Sequence, residues 1–94
     1  MGIIKLWSFD VNYRTEFGGF PKETRKAIFK NDVEEFFKEI LNCLPKRILK
    51  TWESIEFTFN NNRYEIRKDW LEETNYDFQK SHQKFNLLEE EYEN

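Results

Sequence analysis

The side chains that could carry chemistry in this sequence are few. His82 is the only histidine and Cys43 the only cysteine. A nucleophile relay through a histidine has one candidate base, and neither a two-histidine nor a multi-cysteine metal site can be assembled. His82 lies in a polar stretch, where a partly exposed surface role outweighs a catalytic one. Cys43 adjoins the apolar stripe of the most strongly helical segment, the setting of a small half-buried thiol, not of an activated one. Gly18-Gly19 lacks the strand, spacing and lysine of a phosphate cradle and reads as a loop. Paired carboxylates could act as acid and base without histidine, but Glu34-Glu35 and Glu89-Glu90-Glu91 are expected on exposed helix positions, without apolar surroundings to raise a pKa. No catalytic, cofactor-binding or metal-ligating residue is expected, and the protein is expected not to be an enzyme.

What remains is the surface, and the elements that present it. The chain has 94 residues, the size of one domain spanning 1–94. Aromatic residues make up 18% of it, ten of them Phe, against 38% apolar residues in all. Large rings can therefore build a core from few positions. No apolar run approaches the ~18 residues of a membrane span. The opening Met1-Gly2-Ile3-Ile4-Lys5-Leu6 has neither the basic lead nor the long apolar stretch of a signal peptide. With a lone cysteine, this points to the cytoplasm.

Alternation of Ile3, Trp7, Phe9, Val11 and Tyr13 with Ser8, Asp10 and Asn12 predicts a first strand over 3–13. Ile4 and Leu6 on its other face suggest cover on both sides and a place inside a sheet. The glycines and Pro21 make 14–21 a loop, and Pro21 could open a short helix over 22–30. Val33, Phe36, Phe37, Ile40, Leu41 and Leu44 form one apolar helical stripe over 32–44, capped by Asp32 with Glu35 and stopped by Pro45. After a basic connector, Ile55, Phe57 and Phe59 alternate with Ser54, Glu56 and Thr58, and Tyr64 and Ile66 with Arg63, Glu65 and Arg67. A turn at Asn61-Asn62 would set Phe59 against Tyr64, Phe57 against Ile66 and Glu56 against Arg67. Leu71, Thr74, Phe78, Ser81, Phe85, Leu88 and Tyr92 recur as a helical seam, and the sequence leaves open whether the helix starts at Asp69 or only after Asn75. The later start is favoured because Trp70 continues the hairpin alternation, predicting an acidic C-terminal helix at about 76–93. The expected fold is α+β: strand, helix, strand, strand, helix, with an antiparallel or mixed sheet of at least three strands and helices mainly on one face.

The charge is unevenly spread. The net charge is -3, with thirteen basic to ten acidic side chains in residues 1–68, and eight acidic to two basic in 69–94. Lys22, Arg25, Lys26 and Lys30, with Lys46, Arg47 and Lys50, form two basic clusters, at 22–30 and 46–50. Their surplus is smaller than the contiguous footprint of a nucleic-acid domain, which argues against direct nucleic-acid binding. Asp69, Glu72, Glu73, Asp77 and Glu89 to Glu93 suit docking onto a basic partner protein, because opposite charge speeds encounter while rings supply affinity. The solvent side of the hairpin, Glu56, Thr58, Arg63, Glu65 and Arg67, is the sheet surface available to such a partner, and a free strand edge could accept an added strand.

Met1-Gly2-Ile3, Leu6, Phe9-Asp10 and Thr15-Glu16-Phe17 before a glycine resemble the N-terminal strand and loop of cloacin-type immunity proteins, which protect bacteria against ribonuclease bacteriocins. The resemblance implies a small acidic α+β protein whose exposed sheet face and loops bind the toxin, with Asp10 and Glu16 as contacts. The helix over 32–44 and the acidic segment after Trp70 depart from it. The functional expectation is thus a binding protein that neutralises a basic toxin or nuclease through Asp10, Glu16, Glu56, Arg63, Glu65, Arg67, Glu72, Glu73, Asp77 and Glu89. A phage-type inhibitor of a host defence nuclease is the near alternative. A small nucleic-acid-binding or regulatory module using the two basic clusters is the distant one.

Overall fold

Period-two burial defines the first strand. In the computed structural model, which describes residues 5–19 and 21–86, β1 (Leu6–Thr15) buries Phe9, Val11, Tyr13 and Thr15 and turns Ser8 and Arg14 to solvent. It lies inside the sheet as the alternation predicted. Leu6 is 57% exposed, however, so the expected second cover is lacking there. Ile3 and Ile4 lie outside the described residues. A turn at Glu16-Phe17 leads into β2 (Gly18–Gly19), which pairs with the end of β1.

The segment 22–30 corrects the sequence reading, for β3 (Glu23–Ile28) is a strand running antiparallel to β1 from Leu6↔Ile28 to Val11↔Glu23. Pro21 permits a helix start but does not impose one. A nine-residue helix without a capped apolar stripe is marginal, whereas the chain leaving β2 already runs beside a β1 edge whose backbone groups need partners.

Helix α1 (Val33–Cys43) matches its stripe. Asp32 accepts a hydrogen bond at Oδ2 from the Glu35 N–H (3.1 Å), satisfying one donor of the first turn. Phe36, Phe37 and Ile40 are buried, and Leu44 follows them. The connector is itself helical: α2 (Lys46–Thr51) buries Ile48 and displays its cations.

The hairpin joins β4 (Trp52–Phe59) to β5 (Asn62–Arg67). Its register differs from the expected one by two residues, with Phe59 opposite Asn62, Phe57 opposite Tyr64, Ile55 opposite Ile66 and Glu56 opposite Glu65. The turn residues are Asn60 and Asn61, at φ 54° and 64°. Any two of three consecutive asparagines could supply those left-handed conformations, so the sequence leaves the choice open. A shift of two keeps every side chain on its expected face. Because glycine adopts the second left-handed position without Cβ strain, Asn61→Gly is expected to raise stability by up to about 1 kcal/mol. Asn61→Val should lower it by roughly 1–2 kcal/mol, both read from the urea midpoint.

Arg14 lies opposite Ser54 but Thr15 opposite Trp52, leaving Glu53 as an extra residue in β4. That bulge reverses the alternation, so Trp52 turns into the core, 7% exposed.

The C-terminal region also departs from expectation. Helix α3 (Lys68–Glu73) begins before Trp70, so Trp70 is helical and does not extend the strand. Asn75 and Tyr76, at φ 57° and 64°, interrupt the chain; α4 (Phe78–Ser81) follows, then β6 (His82–Asn86), antiparallel to β5. The continuous helix expected at 76–93 is therefore not formed over 76–86, and residues 87–93 lie outside the described residues. Two consecutive left-handed residues cannot continue a right-handed helix. The seam has other uses: Phe78 enters the core, and Ser81 Oγ bonds the Asp77 carbonyl (2.6 Å) and the Thr74 hydroxyl.

The described sheet thus has six strands, ordered β2-β1-β4-β5-β6 with β3 also on β1. Rings fill its inner face. Phe36 meets Phe9 edge-on at 5.1 Å, and Phe37 stacks on Phe57 at 5.9 Å. All four described helices deliver their buried apolar side chains to this one cluster. No described helix is long and apolar enough to cross a membrane.

Candidate functional site

With the helices on the inner face, the opposite face of the sheet carries no buried side chain among the described residues. Strand pairing arranges it in rows. Asn12, Glu56, Glu65 and Gln83 form one row across β1, β4, β5 and β6. Thr58, Arg63 and Phe85 form the next on one side, and Arg14, Ser54 and Arg67 on the other. Two carboxylates thus stand directly opposite each other between rows bearing arginines.

Like charges opposed across strands are destabilising unless a cation intervenes. Arg63 supplies one from a diagonal position, its Nε 3.6 Å from Glu56 Oε2, while its guanidinium lies over the Phe85 ring at 5.3 Å. Arg67 is turned outward: it donates to Asp69 Oδ2 (3.2 Å) and covers the Trp70 ring. Asp10 Oδ1 accepts from the Thr24 hydroxyl (2.9 Å), and the Asp10 N–H donates to Thr58 Oγ1 (3.2 Å), joining three strands. At the far end of β1 and β3, the cross-strand pair Leu6 and Ile28 adds exposed apolar surface.

The lower row opens into a cleft of about 520 Å³ between the ends of β4 and β5 and α3, lined by Arg14, Trp52, Glu53, Glu65, Lys68 and Glu72 among others. Lys68 lies over the Trp52 ring at 5.9 Å. The residues expected from sequence to bind a partner are therefore sorted by the fold. Asp10, Glu56, Arg63, Glu65 and Arg67 share the open face, and Glu65, Arg67 and Glu72 share the cleft. Glu16 sits apart in the β1–β2 turn, and Glu73 on the exposed side of α3. Asp77 is occupied in capping α4, its Oδ1 accepting from the Lys80 N–H (3.4 Å). Glu89 lies outside the described residues.

Arg14 and Glu53 belong to the cleft but escape a sequence reading. Arg14 stood in a segment read as loop, and Glu53 reaches the rim only through the bulge. Nothing in residue type marks either.

The two residues weighed for chemistry have structural surroundings. His82 stacks on Phe78 at 4.7 Å, with Nδ1 2.9 Å from the Phe78 carbonyl oxygen. The Cys43 thiol donates to the Ile40 carbonyl (3.1 Å). Burial pushes its pKa above the ordinary 9.0, against a pull from the nearby Arg25 charge. Alkylation of Cys43 should therefore be slower near neutral pH than that of an unfolded cysteine peptide, with its pH-rate profile displaced upward. Tyr13 is raised by burial and by its bond to Glu23, and Tyr64 by burial. These native-state values lie above the unfolded ones, so their contribution to stability is intact below the ordinary values of 9.0 and 10.0. It is lost as pH rises through the folded values, and the melting temperature should fall in that alkaline range.

No protein-family model, curated protein or solved structure matches the chain.

Proposed function

We propose that the protein is a non-catalytic binding protein that docks a basic partner through the open face of its sheet and neutralises it, the partner being a toxin nuclease. The observation that carries this reading is a broad sheet whose core side chains all lie on one face, leaving a polar face with Glu56 and Glu65 opposed at its centre. Arg63 offsets only the Glu56 side of this pair, so a cation from a partner placed over the row would add to it and would be held by two charge-assisted contacts. The carboxylates Glu53 and Glu72 at the adjoining cleft would steer a basic surface toward it. The resemblance of the first strand and turn to cloacin-type immunity proteins supports the same class of partner. A phage-type inhibitor of a host nuclease would use the same face.

The test is affinity capture from extracts of the source organism, with mass spectrometry and an activity assay of what is captured. A nuclease retained by the native protein, lost from a Glu56→Lys/Glu65→Lys variant and inhibited at one-to-one stoichiometry is the expected result. Equal retention by protein and variant would remove the open face from the interface.

A further inference from the structure

The most exposed large apolar side chain among the described residues lies away from that face. Phe17 is 80% exposed at the β1–β2 turn. The turn is held: Thr15, buried at 3% exposure, accepts at Oγ1 from the Phe17 N–H (3.1 Å) and donates to the Gly18 carbonyl (3.2 Å). The Glu16 N–H donates to the Thr51 carbonyl (3.1 Å), tying the turn to the end of α2. Gly18 sits at φ 133°, a conformation that a side chain would strain. A ring presented on a fixed turn loses little further freedom on binding, which is how a contact residue gains affinity.

The neighbouring surface is cationic. Phe17, Thr15, Arg47, Ile48 and Thr51 line a groove of about 250 Å³. Lys46, Arg47 and Lys50 are exposed on α2, and none forms an ion pair among the described residues. In a chain of net charge -3, this is a local cationic surface beside a solvent-facing ring.

We infer that the Phe17 turn and α2 form a contact site for single-stranded nucleic acid, with a base seated in the groove between the Phe17 ring and the Arg47 guanidinium and the flanking phosphates on Lys46 and Lys50. Flat bases stack on rings and guanidinium planes, and a groove this small takes one base at a time. Charge selects a polyanion, and the ring-and-guanidinium groove favours a strand with free π-faces over a duplex, whose bases are stacked inside. The site concerns residues other than those of the open face, so it stands or falls independently of the docking proposal.

Fluorescence polarisation of a labelled mixed-sequence DNA strand of about ten nucleotides, titrated with the full chain, tests it. Saturable binding is expected at about 50 mM salt, weakening toward 200 mM with a log-log slope near -2, as for about three phosphate contacts on a single strand. Phe17→Ala should weaken binding about tenfold or more, Phe17→Trp should retain it, and joint replacement of Lys46, Arg47 and Lys50 by Gln should abolish the salt dependence. Unchanged melting temperatures would show that the variants remain folded. The Glu56→Lys/Glu65→Lys variant should retain the Phe17 dependence, separating this site from the open face. Three outcomes would overturn the inference: no binding at low salt, binding indifferent to Phe17→Ala, or loss in the same variants of binding to anionic phospholipid vesicles while the strand is not bound.

Discussion

Replacing Phe36 by alanine is expected to remove about 3–5 kcal/mol of folding stability, the range for truncating a fully buried ring. Phe36 is 0% exposed, and its ring meets Phe9 of β1 at 5.1 Å and Phe57 and Phe59 of β4 at 6.2 and 5.2 Å. One helical side chain thus joins two neighbouring strands. Domains of this size have about 5–15 kcal/mol in total, so the loss is a large part of the fold's margin. At about 4–8 °C per kcal/mol, the melting temperature should fall by roughly 12–40 °C. A urea titration gives the free energy directly. A loss below about 1 kcal/mol would mean that the α1 stripe does not pack on this sheet.

The second large effect concerns association. Glu56→Lys together with Glu65→Lys should weaken binding to the captured partner by about a hundredfold or more, because placing like charges in contact across an interface costs several kcal/mol. Most of that change should appear as faster dissociation. Neutralising Glu53 and Glu72 at the cleft, together with Glu73 on the exposed side of α3, should instead slow association, by roughly tenfold at low ionic strength, and the difference should vanish as the Debye length shrinks. Surface plasmon resonance over a salt series separates the two. Rates indifferent to both sets of substitutions and to salt would leave the acidic rim as a solubilising surface.

Elements defined by one strong period were legible in the sequence. The stripe from Val33 to Leu44 gave α1 to within a residue or two, and alternation gave β1, β4 and β5 with their faces. What escaped depends on partners distant along the chain. Glu23–Ile28 forms a strand because β1 offers an edge there, information that the segment itself does not contain. The hairpin register turned on which two of three asparagines take the left-handed conformation. The seam after Trp70 failed for a related reason: its three- and four-residue spacing is real, but Phe78 and Ser81 serve packing and capping in a short turn, and Phe85 serves a strand. For the candidate interface, Glu56, Arg63, Glu65 and Arg67 could be assigned to one surface by parity alone, whereas Asp10, named through the family resemblance, joins them only through the β1–β4 pairing. Their arrangement in rows needed the true register, and the contributions of Arg14 and Glu53 to the cleft needed the fold.

The pairing of β1 with β4 has a consequence for the order of assembly. Val11 lies opposite Phe57, with α1, α2 and β3 between them in the chain. The β4–β5 hairpin needs only neighbouring residues and can close within microseconds, whereas the central pair must first bring together the ends of a long loop. During synthesis β1 emerges well before the strand beside which it finally lies, leaving β3 as the antiparallel partner already at hand. The β1–β3 pairing therefore satisfies the backbone of β1 on one edge early, and the closure of β1 onto the later hairpin, joined by the rings of α1, is expected to be the slower step.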